Sequence, residues 1–263
     1  MRADPHSSSP SKGTGIHSLP GLGIGILTPM PAALRDALGI VASYVFVFGF
    51  IGTATILMRR GVFVPAVTRK VIHIGVAHWW LIAMALMDDP WVASIGPASF
   101  IVINALAIRF HLLPAMDEGA DARNWGTVYF PMSLLILVNL CWRAIVPVWV
   151  GGLAVLVLGW GDGLAAIIGE SLGRTPFLRR GRRGIQRRGK TVAGAAVMFG
   201  ASFAVSLCFT LVFNHRFSGL PAAAGVSALT AAAATAVELL TPLGIDNITV
   251  PLATAFLYAG VFA

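Results

Sequence analysis

An acidic residue and a dense run of basic residues lie close together in the second half of this 263-residue chain. Asp162 lies in Gly159-Trp-Gly-Asp-Gly163, inside a long apolar run. Eight Lys and Arg residues follow between positions 174 and 190, and Lys190-Thr191 begins the next apolar run. A carboxylate can bind Mg²⁺ and a cationic loop can bind phosphate groups. The combination indicates phosphoryl chemistry at a membrane surface.

The glycines beside Asp162 have two interpretations. An ionised acid within a membrane is costly unless it is partnered, and such acids usually line a cavity or an ion site. Gly161 and Gly163 would let the helix break and let backbone or phosphate approach Asp162 closely. Alternatively, Gly159 and Gly163 have the spacing of a helix-packing seam. Packing explains the glycines but leaves the acid unexplained, so we predict that Asp162 is functional.

A P-loop motif is matched literally by residues 184–191, which end in Gly-Lys-Thr. A P-loop requires a strand before it and an α/β sheet around it, whereas an arginine-rich loop precedes this segment. We therefore exclude a P-loop NTPase. Lys190 and Thr191 still lie at the start of a predicted helix, where free N–H groups and a lysine form an anion site. We predict that Lys190 binds phosphate.

A basic motif with a histidine, Arg69-Lys-Val-Ile-His73, opens the second apolar run. Lys70 and His73 lie about one helical turn apart and can face the same interfacial pocket. A histidine in an apolar helix is more often a packed residue, and Arg69 and Lys70 can equally be flanking charges. The sequence leaves this motif undecided.

Three side chains with oxygen donors surround the last predicted helix break. Glu238 ends an alanine-rich run, Thr241-Pro242 stops the helix, and Asp246-Asn247 begin the last apolar run. Two carboxylates and an amide are hard oxygen ligands, suited to Mg²⁺ with a nucleotide. A helix N-cap would explain Asp246 but not Glu238.

The composition indicates an integral membrane protein. Charged residues make up 11% of the chain and hydrophobic residues 57%, with a mean hydropathy of +0.81, whereas soluble domains contain about 25% charged residues. We predict an all-α, multi-spanning protein with about eight transmembrane helices, seven and nine being the alternatives. The predicted spans are 37–58, 71–87, 91–110, 127–142, 145–169, 191–213, 219–240 and 247–262. Residues 1–36 are predicted to be disordered and 37–263 to form a single transmembrane domain.

The charges between the apolar runs predict an orientation. The basic loops 59–70 and 170–190 fall on one side of the predicted membrane, together with 109–126 and 241–246. The positive-inside rule makes this side cytosolic, and every candidate residue above lies there. Orientation, anionic headgroups or substrate phosphates account for the net charge of +8, so we expect no nucleic-acid partner.

In four of its motifs the chain resembles the CTP-dependent polyprenol kinases, which comprise phytol kinases, dolichol kinases and CTP-dependent diacylglycerol kinases. It is most similar to the phytol kinase branch, and the resemblance covers roughly residues 69–258. The motifs are Arg69-Lys-x-x-His73, Gly161-Asp-Gly-x-Ala165 with Gly169 and Gly173, Lys190-Thr-x-x-Gly194, and Glu238 followed by Asp246-Asn-x-Thr-Val-Pro251. Two positions depart from the pattern, because Glu170 stands where many relatives have Arg and Thr191 stands where Ser is common.

The resemblance implies transfer of a phosphoryl group from CTP to the hydroxyl of an isoprenoid or lipid alcohol. It implies that Asp162 and Asp246 bind Mg²⁺, supported by Asn247 and Glu238. The general base would be Asp162, Glu238 or His73. The positions expected to contact the nucleotide or its phosphates are Arg69, Lys70, Gly161, Gly163, Lys190, Thr191 and Asn247. The alkyl chain would lie between helices, reached from the bilayer.

Two other functions fit part of the pattern. A CTP:phosphatidate cytidylyltransferase would also use CTP and Mg²⁺, but it would form a CDP-lipid. A transporter of a phosphorylated anion would also contain intramembrane acids and broken helices. The transporter is less favoured because the two halves share no sequence repeat and the charged residues gather at one face.

Overall fold

The computed structural model describes residues 30–110, 125–172, 190–217, 219–242 and 244–262. These residues are almost entirely helical. The α-helices are α1 (Ala32–Arg59), α2 (Pro65–Ala77), α3 (Trp79–Leu86), α4 (Pro90–Phe110), α5 (Gly126–Trp142), α6 (Val148–Leu172), α7 (Val192–Phe213), α8 (Leu220–Leu240) and α9 (Asp246–Val261). A short 3-10 turn, His215–Phe217, follows α7.

The predicted all-α membrane fold is confirmed. Five of the helices, α1, α4, α6, α7 and α8, are long and apolar enough to cross a membrane, and α5 is a shorter apolar helix. The second predicted span is divided at His78 into α2 and α3. The His78 N–H bonds to the carbonyl of Gly75, three residues earlier, which tightens the turn and ends α2. Each of the other predicted spans corresponds to one helix.

Some predictions concern the ends of the described segments. Helix α1 begins at Ala32, so residues 32–36 are helical rather than disordered, and residues 1–29 lie outside the described residues. The arginines between 174 and 188, with Gly173 and the P-loop-like segment before Lys190, also lie outside them, as does the side chain of Glu170.

Helix α6 forms the centre of the bundle. It packs against α2, α3, α5, α7, α8 and α9, and its residues 150–158 are all buried. Gly151 and Gly152 make room for the indole of Trp80, which is fully buried. The outer surface of the bundle is apolar, with exposed side chains such as Phe48, Val102 and Leu229. Such a surface is suited to contact with lipid.

Polar contacts distinguish the two ends of the bundle. At one end, Arg35 at the start of α1 pairs with Asp88 before α4, and the Trp142 indole donates to the carbonyl of Met87. The opposite end contains the starts of α2, α5, α7 and α9 and the ends of α4, α6 and α8. The predicted site residues are brought together near this second end, which we call the basic end because residues 59–70 and the two ends of the basic segment 170–190 lie there.

Candidate active site

Lys70 and Asp162 form an ion pair between α2 and α6. The Lys70 Nζ donates to Asp162 Oδ2 at 2.8 Å. The two side chains are only 23% and 15% exposed, so solvent weakens this ion pair less than it would an exposed pair. The lysine therefore supplies the partner that an acid within an apolar helix requires.

The glycines around Asp162 serve helix packing. A Cβ atom at Gly163 would lie 2.3 Å from Ile74 Cγ1, and one at Gly159 would lie 2.5 Å from Ala77 Cβ, so both glycines let α2 lie directly against α6. A Cβ at Gly161 would lie 2.4 Å from Met198 Sδ on α7. Helix α6 is continuous past all three positions, as the predicted span 145–169 requires, so of the two interpretations of the glycines the structure shows the packing seam. Contact of Gly161 or Gly163 with phosphate stays a prediction.

His73 lies one turn after Lys70 and also faces Asp162. Its Nε2 is 3.8 Å from Asp162 Oδ2, which is beyond hydrogen-bonding distance. This nitrogen is buried and has no hydrogen-bond partner among the described residues. The imidazole packs against the ring of Phe130, with 4.7 Å between the ring centroids. The pocket that the sequence allowed for Lys70 and His73 is therefore formed around Asp162.

Lys190 connects the start of α7 to the end of α8. Its Nζ lies 2.8 Å from Glu238 Oε1 and donates to the backbone carbonyls of Glu238 and of Thr241, the latter at 3.0 Å. The lysine thus neutralises Glu238 and also caps the C-terminal carbonyls of α8. Thr191 is the N-cap of α7, and its Oγ1 accepts a hydrogen bond from the Gly194 N–H at 3.0 Å. Both residues have structural partners in addition to their predicted phosphate contacts.

Asp246 and Asn247 lie in the first turn of α9. Gly244, with φ of +92°, turns the chain so that Asp246 Oδ1 accepts hydrogen bonds from the N–H groups of Gly244 and Asn247, both at 3.0 Å. Asp246 is therefore the first residue of α9 and not its N-cap. The carboxyl group is buried. Beside it, Asn247 Oδ1 is buried and has no hydrogen-bond partner in the described part of the chain.

These side chains form one electrostatic unit, which we call the charged cluster: Lys70, Asp162, Lys190, Glu238 and Asp246. The charges of the other four residues all act on Asp246, and the charge of Lys190 acts on Asp162 as well. Helices α2, α6, α8 and α9 contribute to the cluster and α7 begins beside it, although its members are separated by up to 176 positions, from Lys70 to Asp246. Motifs that are distant in sequence therefore meet at the basic end.

The oxygen donors of Asp246 and Asn247 are of the chemical type that Mg²⁺ requires. Among the described His, Cys, Asp and Glu side chains, no group of three converges as a metal site. Mg²⁺ is commonly bound by one or two carboxylates with substrate phosphates completing its coordination. The Asp246 carboxylate and the unpartnered Asn247 Oδ1 provide oxygen donors of this kind.

An apolar cavity adjoins the charged cluster. It lies between α1, α2, α4 and α5, with Trp79 of α3 at its far end, and His73 is part of its wall. Asn104 and Thr127 also line it, and the Asn104 Nδ2 donates to the carbonyl of Thr127 at 2.7 Å, joining α4 to α5. These two residues and the cavity have no signal in the sequence, because apolar runs do not indicate which helices enclose a space.

The chain is similar to two curated proteins. One is named "Phytol kinase", from Synechocystis sp., and is 32% identical over 242 residues, which cover 92% of this chain and 98% of the relative. The other is named "Probable phytol kinase 2, chloroplastic", from Oryza sativa subsp. japonica, and is 26% identical over 219 residues, covering 76% of this chain and 67% of the relative. No protein-family model matches the chain. No solved structure matches it either.

Proposed function

The chain belongs to the phytol kinase branch of the polyprenol kinases, and we propose that it transfers the γ-phosphoryl group of CTP to the hydroxyl of phytol or a related isoprenoid alcohol. The names of both relatives support a kinase that acts on an isoprenoid alcohol in a membrane. CTP as the donor follows from the motif resemblance, and a cytosolic site follows from the loop charges.

The position of His73 is the observation that carries the proposal. This side chain lines the apolar cavity and also lies 3.8 Å from Asp162 in the charged cluster. An isoprenoid alcohol needs an apolar space for its chain and a polar site for its hydroxyl, whereas a triphosphate needs cations. The two requirements meet at one residue, at the end of the bundle where the basic loops lie.

The proposed reaction forms one bond and breaks one. The alcohol oxygen attacks the γ-phosphorus, and a new O–P bond forms. The bond between the γ-phosphorus and the bridging oxygen breaks, so that CDP leaves with the electron pair. The hydroxyl proton passes to a protein group. In phosphoryl transfer of this kind, the protein contributes mainly positioning and charge neutralisation.

Among the three candidate bases, the geometry favours His73. Glu238 is engaged by Lys190, and Asp162 Oδ2 is engaged by Lys70. The Nε2 of His73 has no hydrogen-bond partner in the described residues and is part of the cavity wall. A neutral imidazole can accept the hydroxyl proton, and Asp162 then stabilises the imidazolium that results.

We propose that Asp246 and Asn247 of α9 hold Mg²⁺ together with the nucleotide, and that Asp162 of α6 supplies a further carboxylate ligand. When bound, the ion would neutralise charge on the phosphate oxygens. Lys190 and Lys70 each carry an ammonium group near this position. Each ammonium has three N–H donors, so it can bind a phosphate oxygen in addition to its carboxylate partner. Arg69 and Thr191 lie within the same region of the basic end.

Phosphoryl transfer from γ-labelled nucleotides tests the proposal. Membranes containing the protein are supplied with labelled CTP, UTP, ATP or GTP, and with phytol, geranylgeraniol, farnesol, a long polyprenol or diacylglycerol. We expect labelled phytyl phosphate, with CTP as the best donor. A cytidylyltransferase would instead leave the γ-label in pyrophosphate. No labelled lipid from any combination, with the protein folded, would contradict the proposal.

A further inference from the structure

The apolar cavity has a polar end and an apolar end. Arg69 near the start of α2, Asn104 near the end of α4 and Thr127 at the start of α5 line it beside His73. All four lie towards the basic end of the bundle. Trp79 and Gly96, which also line the cavity, lie farther from that end. The polarity of the wall therefore changes along the axis of the bundle, as the polarity of a long-chain alcohol changes along its length.

We propose that this cavity binds the isoprenoid chain of the alcohol, with the hydroxyl at His73, and that Gly96 and Trp79 determine how much chain it admits. This inference rests on the proposed function, because it assigns a binding site to the substrate of that reaction. It adds the identity of the enclosing helices and two residues that set chain-length selectivity.

The polar end of the cavity has a group suited to bind a hydroxyl. His73 Nε2 is buried without a hydrogen-bond partner among the described residues. A buried polar atom without a hydrogen bond destabilises the folded protein. An alcohol in the cavity would supply the missing hydrogen bond. Its oxygen would then lie beside Asp162 and the rest of the charged cluster, where the phosphoryl donor is expected.

The apolar end of the cavity is shaped by Trp79 and Gly96. The Trp79 indole N–H is already donated to Ser43 Oγ at 2.8 Å, so the ring contributes apolar surface to the cavity. Gly96 has no side chain, and a Cβ there would lie 3.5 Å from Trp79 Cζ2, which is ordinary contact. A larger side chain at position 96 would occupy the space that the alkyl chain needs.

The distance between His73 and Trp79 determines how much of the isoprenoid chain lies inside the cavity. His73 and Trp79 are six positions apart, on either side of the tight turn at His78 that joins α2 to α3, and six residues of helix rise about 9 Å. The isoprene units nearest the hydroxyl would therefore lie between them. A substitution at Gly96 should affect long-chain alcohols more than short ones, because short chains end before they reach it.

Replacing Gly96 tests the inference. Gly96→Leu should lower kcat/KM for phytol and geranylgeraniol by about tenfold or more, since several carbon atoms then compete with substrate for an apolar pocket. Geraniol should lose much less, and KM for the nucleotide should not change. Gly96→Ala, which meets only ordinary contacts, should show a smaller effect in the same direction. Gly49→Leu is the matched control, because a Cβ at Gly49 has no described atom within 4 Å.

Equal losses for short and long alcohols, or no loss with Gly96→Leu, would overturn the assignment of the cavity. A photoreactive phytol analogue, with a diazirine midway along its chain, gives a readout that does not need catalysis. It should label α2 and α4 next to the cavity, and unlabelled phytol should compete. Labelling confined to outward-facing residues would contradict the cavity, whereas competed labelling without phosphoryl transfer would leave the cavity standing and contradict the proposed kinase activity alone.

Discussion

The ammonium of Lys70 on α2 lies 2.8 Å from the carboxylate of Asp162 on α6, across 92 positions of sequence. This ion pair joins the first motif of the resemblance, Arg69 to His73, to the second, around Asp162. It also explains how an acid is accommodated inside an apolar helix. The close packing of α2 on α6 is required for the pair to form, and that packing depends on glycine.

The contact between Gly163 and Ile74 should control this ion pair. Gly163→Ala would place a Cβ 2.3 Å from Ile74 Cγ1, so either the Ile74 side chain or α2 itself must move. We expect a loss of stability of about 1–3 kcal/mol from overpacking, together with a loss of phosphoryl transfer. Adding Ile74→Ala should restore part of both, because it removes the clashing atoms.

Thermal unfolding in detergent and a transfer assay measure the two effects. Gly225→Ala is the control, since a Cβ at Gly225 has no described atom within 4 Å. If Gly163→Ala had full activity and stability, the packing of α2 on α6 would not be what positions Lys70.

Lys190 should contribute to stability and to nucleotide binding. Lys190→Met removes the partner of Glu238 and the C-terminal cap of α8, and it removes a charge from the expected phosphate site. A hydrogen bond to a charged group contributes about 1.5–3 kcal/mol, so KM for CTP should rise about tenfold or more. Glu238→Gln should restore part of the stability of Lys190→Met but should not restore KM.

Steady-state kinetics and thermal unfolding of the single and double variants separate these contributions. A Lys190→Met enzyme with an unchanged KM for CTP would limit the lysine to its contacts with α8 and would contradict a role in phosphate binding.

Asp246 should determine the requirement for Mg²⁺. Asp246→Asn keeps the shape of the side chain but removes the charge, so the Mg²⁺ concentration for half-maximal activity should rise about tenfold or more. Chelation of the metal should abolish transfer by the wild type. Asp36→Asn is a matched control, because Asp36 is also buried and accepts backbone N–H groups, those of Asp88 and Asp89, at the other end of the bundle.

A titration of activity with Mg²⁺ at saturating nucleotide measures the Mg²⁺ concentration for half-maximal activity of each variant. Identical Mg²⁺ dependence for Asp246→Asn and the wild type would exclude Asp246 as a ligand.

His73 should act in the transfer step more than in folding. His73→Gln removes the proton acceptor, and general-base catalysis typically contributes about 10²- to 10⁴-fold, so kcat should fall by about a hundredfold or more with a smaller change in KM for CTP. His78→Gln is the comparison, because His78 hydrogen-bonds to Ile74 and Trp160 away from the charged cluster.

The rates of both variants with phytol, measured beside their thermal stabilities, test this role. A His73→Gln enzyme that keeps kcat within a few-fold of the wild type would mean that another group accepts the proton.

Hydropathy was sufficient to predict the helical fold, because each membrane span needs a long apolar run. The division at His78 was not predictable, since apolar residues continue on both sides of it. Candidate residues such as Asp162 and Asp246 were found by their charge in apolar surroundings. Their partners were not found, because the pairing of Lys70 with Asp162 and of Lys190 with Glu238 depends on which helices are neighbours.

The glycines illustrate the same limit. The spacing of Gly159 and Gly163 allowed both a helix break and a packing seam, and only the position of Ile74 on α2 decides between them. The cavity beside His73 had no sequence signal, because its mostly apolar wall combines residues of five helices that no single motif connects.

A comparison of Asp162→Asn with Asp89→Asn in single-turnover phosphoryl transfer is the most direct test of the central claim. Asp162 lies in the charged cluster, whereas Asp89 accepts hydrogen bonds from the first N–H groups of α4 at the other end of the bundle. We expect the wild type and Asp89→Asn to convert γ-labelled CTP and phytol to labelled phytyl phosphate, and Asp162→Asn to form none above background. Equal transfer by a folded Asp162→Asn protein would contradict the assignment of this cluster as the active site.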